Sequence, residues 1–217
     1  MNLPERARTL LDFWFGPPDD PDRERHREIW FKSTPEFDAA LRREFLADYE
    51  AAAEGRLAEW EGSAQAALAL VLLLDQVPRN IFRDTPRAYA TDPQARQMAD
   101  RALARGFDQQ VPPVWRRFFY MPFHHSEDLA DQRRSLALSA SLPRDGERGG
   151  SGEQGGSGER KGSLRRYGRP YLEVIERFGR FPHRNAILGR LSTAEEIEFM
   201  EQAKALRSIE AAGRSAG

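Results

Sequence analysis

Apolar residues recur every three or four positions over most of the chain, and Gly, Pro and capping residues interrupt this pattern. The first such interval, from Leu3 to Trp14, places its large apolar residues on one stripe of an amphipathic helix. Gly16 and the two prolines after it end that helix. A second amphipathic helix is predicted to begin at residues 34–36, where Thr-Pro-Glu supplies a capping hydroxyl, a first-turn proline and an acid, and to continue toward Gly55.

The most apolar segment is residues 66–74, which are apolar on every side of a helix. Its length and its Leu/Ala content favour a helix over a strand. We therefore predict a central helix, buried all round, against which the other helices pack. This helix runs directly into Asp75, Gln76, Arg79 and Asn80. Polar side chains in the part of the fold that holds least water must pair with each other or with a ligand, so this helix end is a candidate site.

Helical patterns continue through the second half of the chain. The predicted helices run from Asp92 to near Gly106, around 114–120, from about Ser126 to Leu142, and from Leu164 to Gly179. Thr193 and Glu196 form a capping box that opens the last helix. The residues predicted on its inner face are Ile197, Met200, Ala203 and Leu206. Because no strand pattern appears anywhere, we predict an all-α protein with about eight helices.

One segment, residues 143–163, contains a repeated Gly-Gly-Ser-Gly-Glu sequence and no large apolar residue. It has no apolar burial to offset the entropy of ordering, so we predict a flexible surface insertion. The chain of 217 residues is within the range of one domain. We therefore predict a single domain over residues 1–217 that the insertion interrupts.

Composition narrows the functional classes. The 33 Lys and Arg residues nearly balance the 34 Asp and Glu residues, and the net charge of −1 argues against nucleic acid as a partner. The absence of cysteine excludes disulfides, thiolate metal sites and cysteine nucleophiles. The N-terminus lacks the pattern of a signal peptide, and no apolar run approaches the roughly 20 residues that span a bilayer. We therefore expect a cytoplasmic protein without a membrane partner.

Polar side chains concentrate at three predicted helix ends, in the sequences DQVPRN (75–80), HSED (125–128) and FGRFPHRN (178–185). Arginine is a forked donor that suits phosphate or carboxylate, and asparagine adds amide donors. We predict that the three segments form a polar pocket that binds an anionic small molecule or peptide. The predicted ligand-binding residues are Asp75, Gln76, Arg79, Asn80, His125, Glu127, Gln132, Arg180, His183, Arg184, Asn185 and Arg190.

These segments also carry a resemblance. The blocks LLDQVPRNIFRDTPRAYATDP, FFYMPFHHSEDLADQ and RFGRFPHRNAILGR, with LDFWFG near the start, resemble the bacterial DUF924 family of uncharacterised proteins over nearly the whole chain. The resemblance implies an all-helical fold similar to tetratricopeptide-repeat superhelices, whose stacked helix pairs surround a concave surface. It implies no reaction. The polar positions that it marks include all twelve predicted ligand-binding residues, together with Ser126 and Asp131.

Two alternatives to ligand binding remain open. In the first, the protein is a hydrolase or another acid-base enzyme that uses His125, Glu127 and His183. In the second, the polar groups are a structural core, with Ser126 as a helix cap and Asp75 in an internal ion pair, and the outer surface carries a protein-interaction function.

The second and third polar segments also contain candidate metal ligands. These are His124, His125, Glu127, Asp128 and His183, but their spacing is not that of a zinc-binding HExxH helix. We therefore predict neither a metal nor another cofactor. The oligomeric state is left open.

Overall fold

A computed structural model describes the backbone of residues 3–142 and 163–215, and the side chains of residues 3–142 and 168–204. Within these ranges the protein contains eight α-helices and no strand, which confirms the predicted all-α fold. The helices are α1 Glu5–Phe15, α2 Pro35–Ala53, α3 Ala64–Ile81, α4 Asp92–Ala104, α5 Pro113–His124, α6 Leu129–Ser139, α7 Ser163–Phe178 and α8 Ala194–Ser215. Short 3₁₀ helices lie at Glu28–Trp30, Ala58–Gly62, Pro86–Tyr89, Phe107–Gln110 and Pro182–Arg184.

The central helix is α3, as predicted. Every residue from Ala66 to Pro78 is buried, and α1, α2, α4 and α5 all pack against this helix. The helix does not end at Leu74 but continues through Pro78 to Ile81. The polar residues that follow the apolar run therefore occupy the last two turns of a buried helix.

Successive helices along the chain pack against each other, with α2 on α3, α3 on α4, α5 on α6 and α6 on α7. This order of packing is compatible with the expected tetratricopeptide-like stacking. No helix in the described part of the chain is long and apolar enough to cross a bilayer.

The caps predicted at two helix starts are present. Thr34 caps α2, because its Oγ1 accepts a hydrogen bond of 3.2 Å from the backbone N–H of Phe37. At α8 the N–H of Glu196 donates to Thr193 Oγ1 at 3.2 Å, and the N–H of Thr193 donates to Glu196 Oε2 at 2.8 Å. This reciprocal pair is the predicted capping box.

The inner face predicted for α8 was wrong at Ile197, whose side chain is exposed. The capping box turns the preceding residue, Glu196, into the protein, where it is almost fully buried. Because adjacent residues on a helix point about 100° apart, Ile197 is directed toward solvent. The side chain of Leu206 lies outside the described residues.

The predicted start of α6 at Ser126 was also wrong. The helix begins at Leu129, and its cap is Asp128, whose Oδ1 accepts from the N–H groups of Ala130 and Asp131 at 2.7 and 3.1 Å. Ser126 Oγ instead accepts from the N–H of Asp128 at 3.1 Å and stabilises the turn before the helix. Serine and aspartate are both good N-cap residues, and Asp128, which directly precedes Leu129, is the one that caps α6.

The turn between α5 and α6 is held by the buried side chain of Gln132. Its Nε2 donates to the carbonyl oxygens of His124 and Ser126, both at 2.7 Å, and more distantly to that of Phe123. The carbonyls of His124 and Ser126 would otherwise lack partners where α5 ends. Gln132 thereby fixes the backbone that presents His124 and His125.

The predicted flexible insertion at 143–163 lies outside the described residues, except for Ser163, which begins α7. Its flexibility and the single-domain boundary therefore stay predictions.

Candidate functional site

A cavity of about 560 Å³ opens beside the ends of α3 and α5 and extends between the 181–184 segment, α7 and α8. It brings together side chains that lie far apart in the sequence. The lining residues are Arg79, Arg83, Asp84, Ala88, Tyr89, His124, His125, Tyr171, Phe181, His183, Arg184, Phe199, Met200 and Ala203. A cavity of this volume is within the range of small-molecule sites.

Behind the cavity, Asp75 of α3 is completely buried and bound by three side chains. Its Oδ1 lies 2.8 Å from His125 Nδ1 and 3.2 Å from Arg79 Nη1, and its Oδ2 accepts from Gln76 Nε2 at 2.6 Å. Arg79 reaches Asp75 because the two residues are one helical turn apart. The buried carboxylate thus positions an imidazole and a guanidinium at the cavity wall.

The protonation states follow from this geometry. Burial raises the pKa of Asp75, but the charge of Arg79 and the contact with His125 outweigh burial, so this pKa lies well below its ordinary value. Burial and the nearby Arg79 lower the pKa of His125, although Asp75 opposes them. At neutral pH Asp75 is therefore ionised and His125 is neutral. An ionised carboxylate can only accept, so the proton of His125 lies on Nδ1 and its Nε2 is an acceptor.

A second carboxylate, Asp92 at the start of α4, joins two arginines from different parts of the chain. Its Oδ1 lies 2.8 Å from Arg79 Nη2, and its Oδ2 lies 3.3 Å from Arg184 Nη1. Burial lowers the pKa of Arg79, but Asp75 and Asp92 outweigh it and raise that pKa above the ordinary value. Burial and the charge of Arg79 lower the pKa of Arg184. Both arginines remain charged, because guanidinium groups do not deprotonate in proteins.

The side chain of Arg184 is held on several sides. Its guanidinium carbon lies 4.5 Å from the ring centre of Tyr89 and 4.8 Å from that of Phe181, and both are cation–π distances. Its Nη2 donates to the carbonyl oxygen of His125 at 2.9 Å. That carbonyl lies at the negative end of the α5 dipole, so this contact also stabilises the helix. Arg184 therefore has both a structural role and a fixed position at the cavity.

Glu127, one of the predicted acid-base residues, does not contact His125. Its carboxylate forms a bidentate pair with Arg190, with distances of 2.7 and 2.9 Å, and its Oε1 accepts from the N–H of Phe181 at 2.7 Å. Burial raises the pKa of Glu127, but the hydrogen bonds from Arg190 outweigh burial and keep it below its ordinary value. Asp75, not Glu127, contacts His125. Glu127 thus fixes the segment that carries Phe181 and Arg184.

A separate network holds the other end of that segment. Arg180 Nε and Nη2 donate to the carboxylate of Glu196 at 2.6 and 2.8 Å. Asn185 Nδ2 donates to the same carboxylate at 3.2 Å and to Ser192 Oγ at 3.0 Å. These contacts connect the segment 180–192 to the start of α8.

Of the twelve predicted ligand-binding residues, four line the cavity: Arg79, His125, His183 and Arg184. Two others, Asp75 and Gln76, lie directly behind this wall. Asn80 donates from Nδ2 to the carbonyl of Gln76 at 3.1 Å. The residues found in supporting contacts away from the cavity are Glu127, Gln132, Arg180, Asn185 and Arg190.

Several residues in or behind the cavity are not among the predicted site residues. Asp92, which lies behind the cavity, is predicted only as the start of α4, and Tyr89, which lines the cavity, has no predicted role. The sequence does contain one signal, because Thr91, Asp92 and Pro93 open a helix inside the block that also contains Asp75 and Arg79. The α8 residues Phe199, Met200 and Ala203 also line the cavity.

Among the described residues, no three His, Cys, Asp or Glu side chains converge in a way that could hold a metal ion. The site is instead defined by two arginines, a neutral histidine and aromatic rings above a buried pair of carboxylates. The protein is therefore an all-α protein with a polar cleft over an internal ion-pair network.

Comparison with known proteins agrees with this fold. The chain belongs to the family described as "Bacterial protein of unknown function (DUF924)", whose model matches residues 10–204, and the resemblance found in the sequence is thereby confirmed. It is similar to the solved structure of a protein of unknown function, ATU0120 from Agrobacterium tumefaciens, with 39% sequence identity and a TM-score of 0.74. That similarity covers 90% of this chain and 97% of the other. No protein with a curated description matches this sequence.

Proposed function

We propose that the cavity binds an anionic small molecule or a peptide carboxylate through Arg79 and Arg184. The observation that supports this proposal is the position of the charged groups relative to the cavity. Both guanidinium groups line the cavity, whereas their carboxylate partners, Asp75 and Asp92, do not. A ligand that enters therefore meets the N–H donors of Arg79 and Arg184 before their partner acids, and the one acid that lines the cavity among the described residues, Asp84, is exposed to solvent. Guanidinium forks of this kind suit carboxylate and phosphate groups.

The rigidity of Arg184 adds support. Two aromatic rings, Asp92 and a backbone carbonyl hold its side chain, which is only 8% exposed. A donor that is already ordered loses little conformational freedom when a ligand binds, and more of the interaction energy contributes to affinity.

The experiment is a thermal-shift measurement with acetate, phosphate, sulfate and nucleotides. A ligand at about 100 times its dissociation constant should add roughly 2.7 kcal/mol of stability. For a domain of this size that corresponds to roughly 5–10 °C in melting temperature.

The diagnostic variant is Arg184→Lys, which keeps a charge near Asp92 but loses the fork. We expect its ligand-induced shift to fall below half that of the wild type. The control is Arg101→Lys, at an exposed pair with Glu61 outside the cavity, which should keep the full shift. If no anion shifts the wild type, the proposed function is wrong.

A second candidate function is acid-base catalysis, and the Asp75–His125 pair favours it. A carboxylate that binds Nδ1 of a neutral histidine and leaves Nε2 as an acceptor is the arrangement of a general base with its orienting acid. In this candidate His125 is the base, Asp75 orients it, Glu127 does not contact it, and His183 also lines the cavity. The arginines would stabilise negative charge on the substrate.

The two candidates are separated by His125→Gln. This variant should abolish turnover of any substrate found by activity screening, while anion binding at the arginines persists. Because a base acts when it is deprotonated and the pKa of His125 is lowered, activity should already be complete at pH 7. Turnover that survives His125→Gln would exclude this mechanism.

A further inference from the structure

The cavity has two chemically different walls. One, the polar wall, is formed by Arg79, His125 and Arg184. The other, the apolar wall, is formed by Tyr171 of α7 and by Phe199, Met200 and Ala203 of α8. A ligand that fills the cavity therefore contacts both hydrogen-bond donors and hydrocarbon or aromatic surface.

The charges near the polar wall limit the charge of that ligand. Arg79 and Arg184 are balanced by Asp75 and Asp92, so this inner network carries no net charge. Two exposed charged residues also line the cavity: Arg83, which pairs with Asp38 of α2 at 2.9 Å, and Asp84. Solvent screens the charges of both.

The two neighbouring histidines add no positive charge. Burial and the neighbouring His125 lower the pKa of His124 to about 3, and the pKa of His125 is lowered as well. Both rings are therefore neutral at neutral pH. A ligand with two or more negative charges would bring more uncompensated charge into a partly buried cavity than a single carboxylate, whose one charge the two forks can share.

We infer that the ligand is a monoanionic carboxylate attached to an apolar body, with its carboxylate at Arg79 and Arg184 and its body against the apolar wall. This inference rests on the proposed function, since it names the ligand class of the same site. The same chemistry is found in a free aliphatic or aromatic acid and in the C-terminal residue of a peptide that ends in an apolar amino acid.

The test is isothermal titration of the wild-type protein with straight-chain monocarboxylates of two to ten carbons. Each methylene buried against the apolar wall should tighten binding about fourfold until the wall is covered. Alcohols of the same length, phosphate and ADP complete the series. We expect the alcohols and the multiply charged anions to bind at least tenfold more weakly than the best carboxylate.

A matched pair of variants on α8 locates the body of the ligand. Met200→Asn places a polar group on the apolar wall and should flatten the dependence on chain length while acetate binding stays unchanged. Ile197→Asn, at an exposed position of the same helix outside the cavity, should leave the whole series as in the wild type.

The outcomes separate this inference from the proposed function. Binding of phosphate or ADP in preference to carboxylates would overturn the inference and leave anion binding intact, as would carboxylate binding that does not change with chain length. Alcohols that bind as well as acids would overturn the inference, because the carboxylate would then not be recognised. If none of these ligands binds, both the inference and the proposed function are wrong.

Two further ligands with the same branched carbon skeleton, 4-methylpentanoate and N-acetyl-leucine, identify the source of the carboxylate. Tighter binding of 4-methylpentanoate supports the inference with a free acid as ligand. Tighter binding of N-acetyl-leucine supports it with a peptide end as ligand.

Discussion

The substitution Asp92→Asn removes the charge that Arg79 and Arg184 share. Asp92 contacts the two guanidinium groups at 2.8 and 3.3 Å, and its side chain is 11% exposed. Removing one partner of a buried ion pair costs about 3–5 kcal/mol. Asparagine keeps one oxygen as an acceptor and the site is not wholly dry, so we expect a loss near the lower end, about 3 kcal/mol.

This loss must be separated from an effect on the helix dipole, because Asp92 is in the first turn of α4. The dipole contribution of such an acid is about 0.3–1 kcal/mol. The matched control is Asp100→Asn on the same helix, whose partner Arg134 is a surface residue and whose own side chain is 50% exposed. Exposed pairs contribute about 0–1 kcal/mol, so the control should remain close to the wild type.

The assay is equilibrium unfolding in urea, monitored by tryptophan fluorescence and by circular dichroism. A loss of about 3 kcal/mol lowers the midpoint by roughly 1–1.5 M when the slope is near the upper end of its usual range. Added acetate should restore more stability to Asp92→Asn than to the wild type, because the two guanidinium groups then lack their shared counter-ion. A loss of no more than 1 kcal/mol, with no extra response to acetate, would refute this interpretation of Asp92.

Three further predictions concern stability. Leu72→Ala should lower the free energy of unfolding by about 2–5 kcal/mol, because Leu72 is fully buried at the centre of α3. Gln65→Ala, at an exposed position of the same helix, should change it by less than about 0.5 kcal/mol. Equal effects of the two substitutions in urea unfolding would mean that α3 is not central. The stability of the wild type should fall as the pH drops below about 4, because the pKa of Asp75 is lowered in the folded state and the unfolded state therefore binds the proton first. Asp75→Asn should be less stable than the wild type at neutral pH and should lose less stability on acidification. An unchanged pH dependence of stability would contradict the ion pair of Asp75. Gln132→Leu leaves the buried carbonyls of His124 and Ser126 without their donor and should lower the free energy of unfolding by about 1–3 kcal/mol. Hydrogen exchange at residues 124–128 should become faster. A substitution without effect would show that water replaces the side chain.

The elements that could be predicted from sequence depend on neighbouring residues. The Thr34 cap, the capping box at Thr193 and the continuous apolar run of α3 are local patterns, and each appears in the structure where it was expected. The predicted start of α6 was wrong for a local reason as well. Ser126 and Asp128 are both suitable N-cap residues, and the sequence does not decide between them.

The site was predictable only in part, because its contacts join distant residues. His125 lies 50 positions from Asp75, and Arg184 lies 92 positions from Asp92. The sequence identified polar residues at helix ends, but not which acid partners which base. It offered Glu127 as an acid-base residue together with His125, although Glu127 pairs with Arg190, 63 positions away.

The most direct test of anion binding is a crystal structure of the protein grown with octanoate. The arrangement of charges predicts that the carboxylate oxygens lie within about 3.2 Å of guanidinium nitrogens of Arg79 and Arg184, with the alkyl chain against Phe199 and Met200. An empty cavity at a saturating concentration, with or without octanoate elsewhere on the protein, would contradict the inferred binding of a carboxylate at the two arginines.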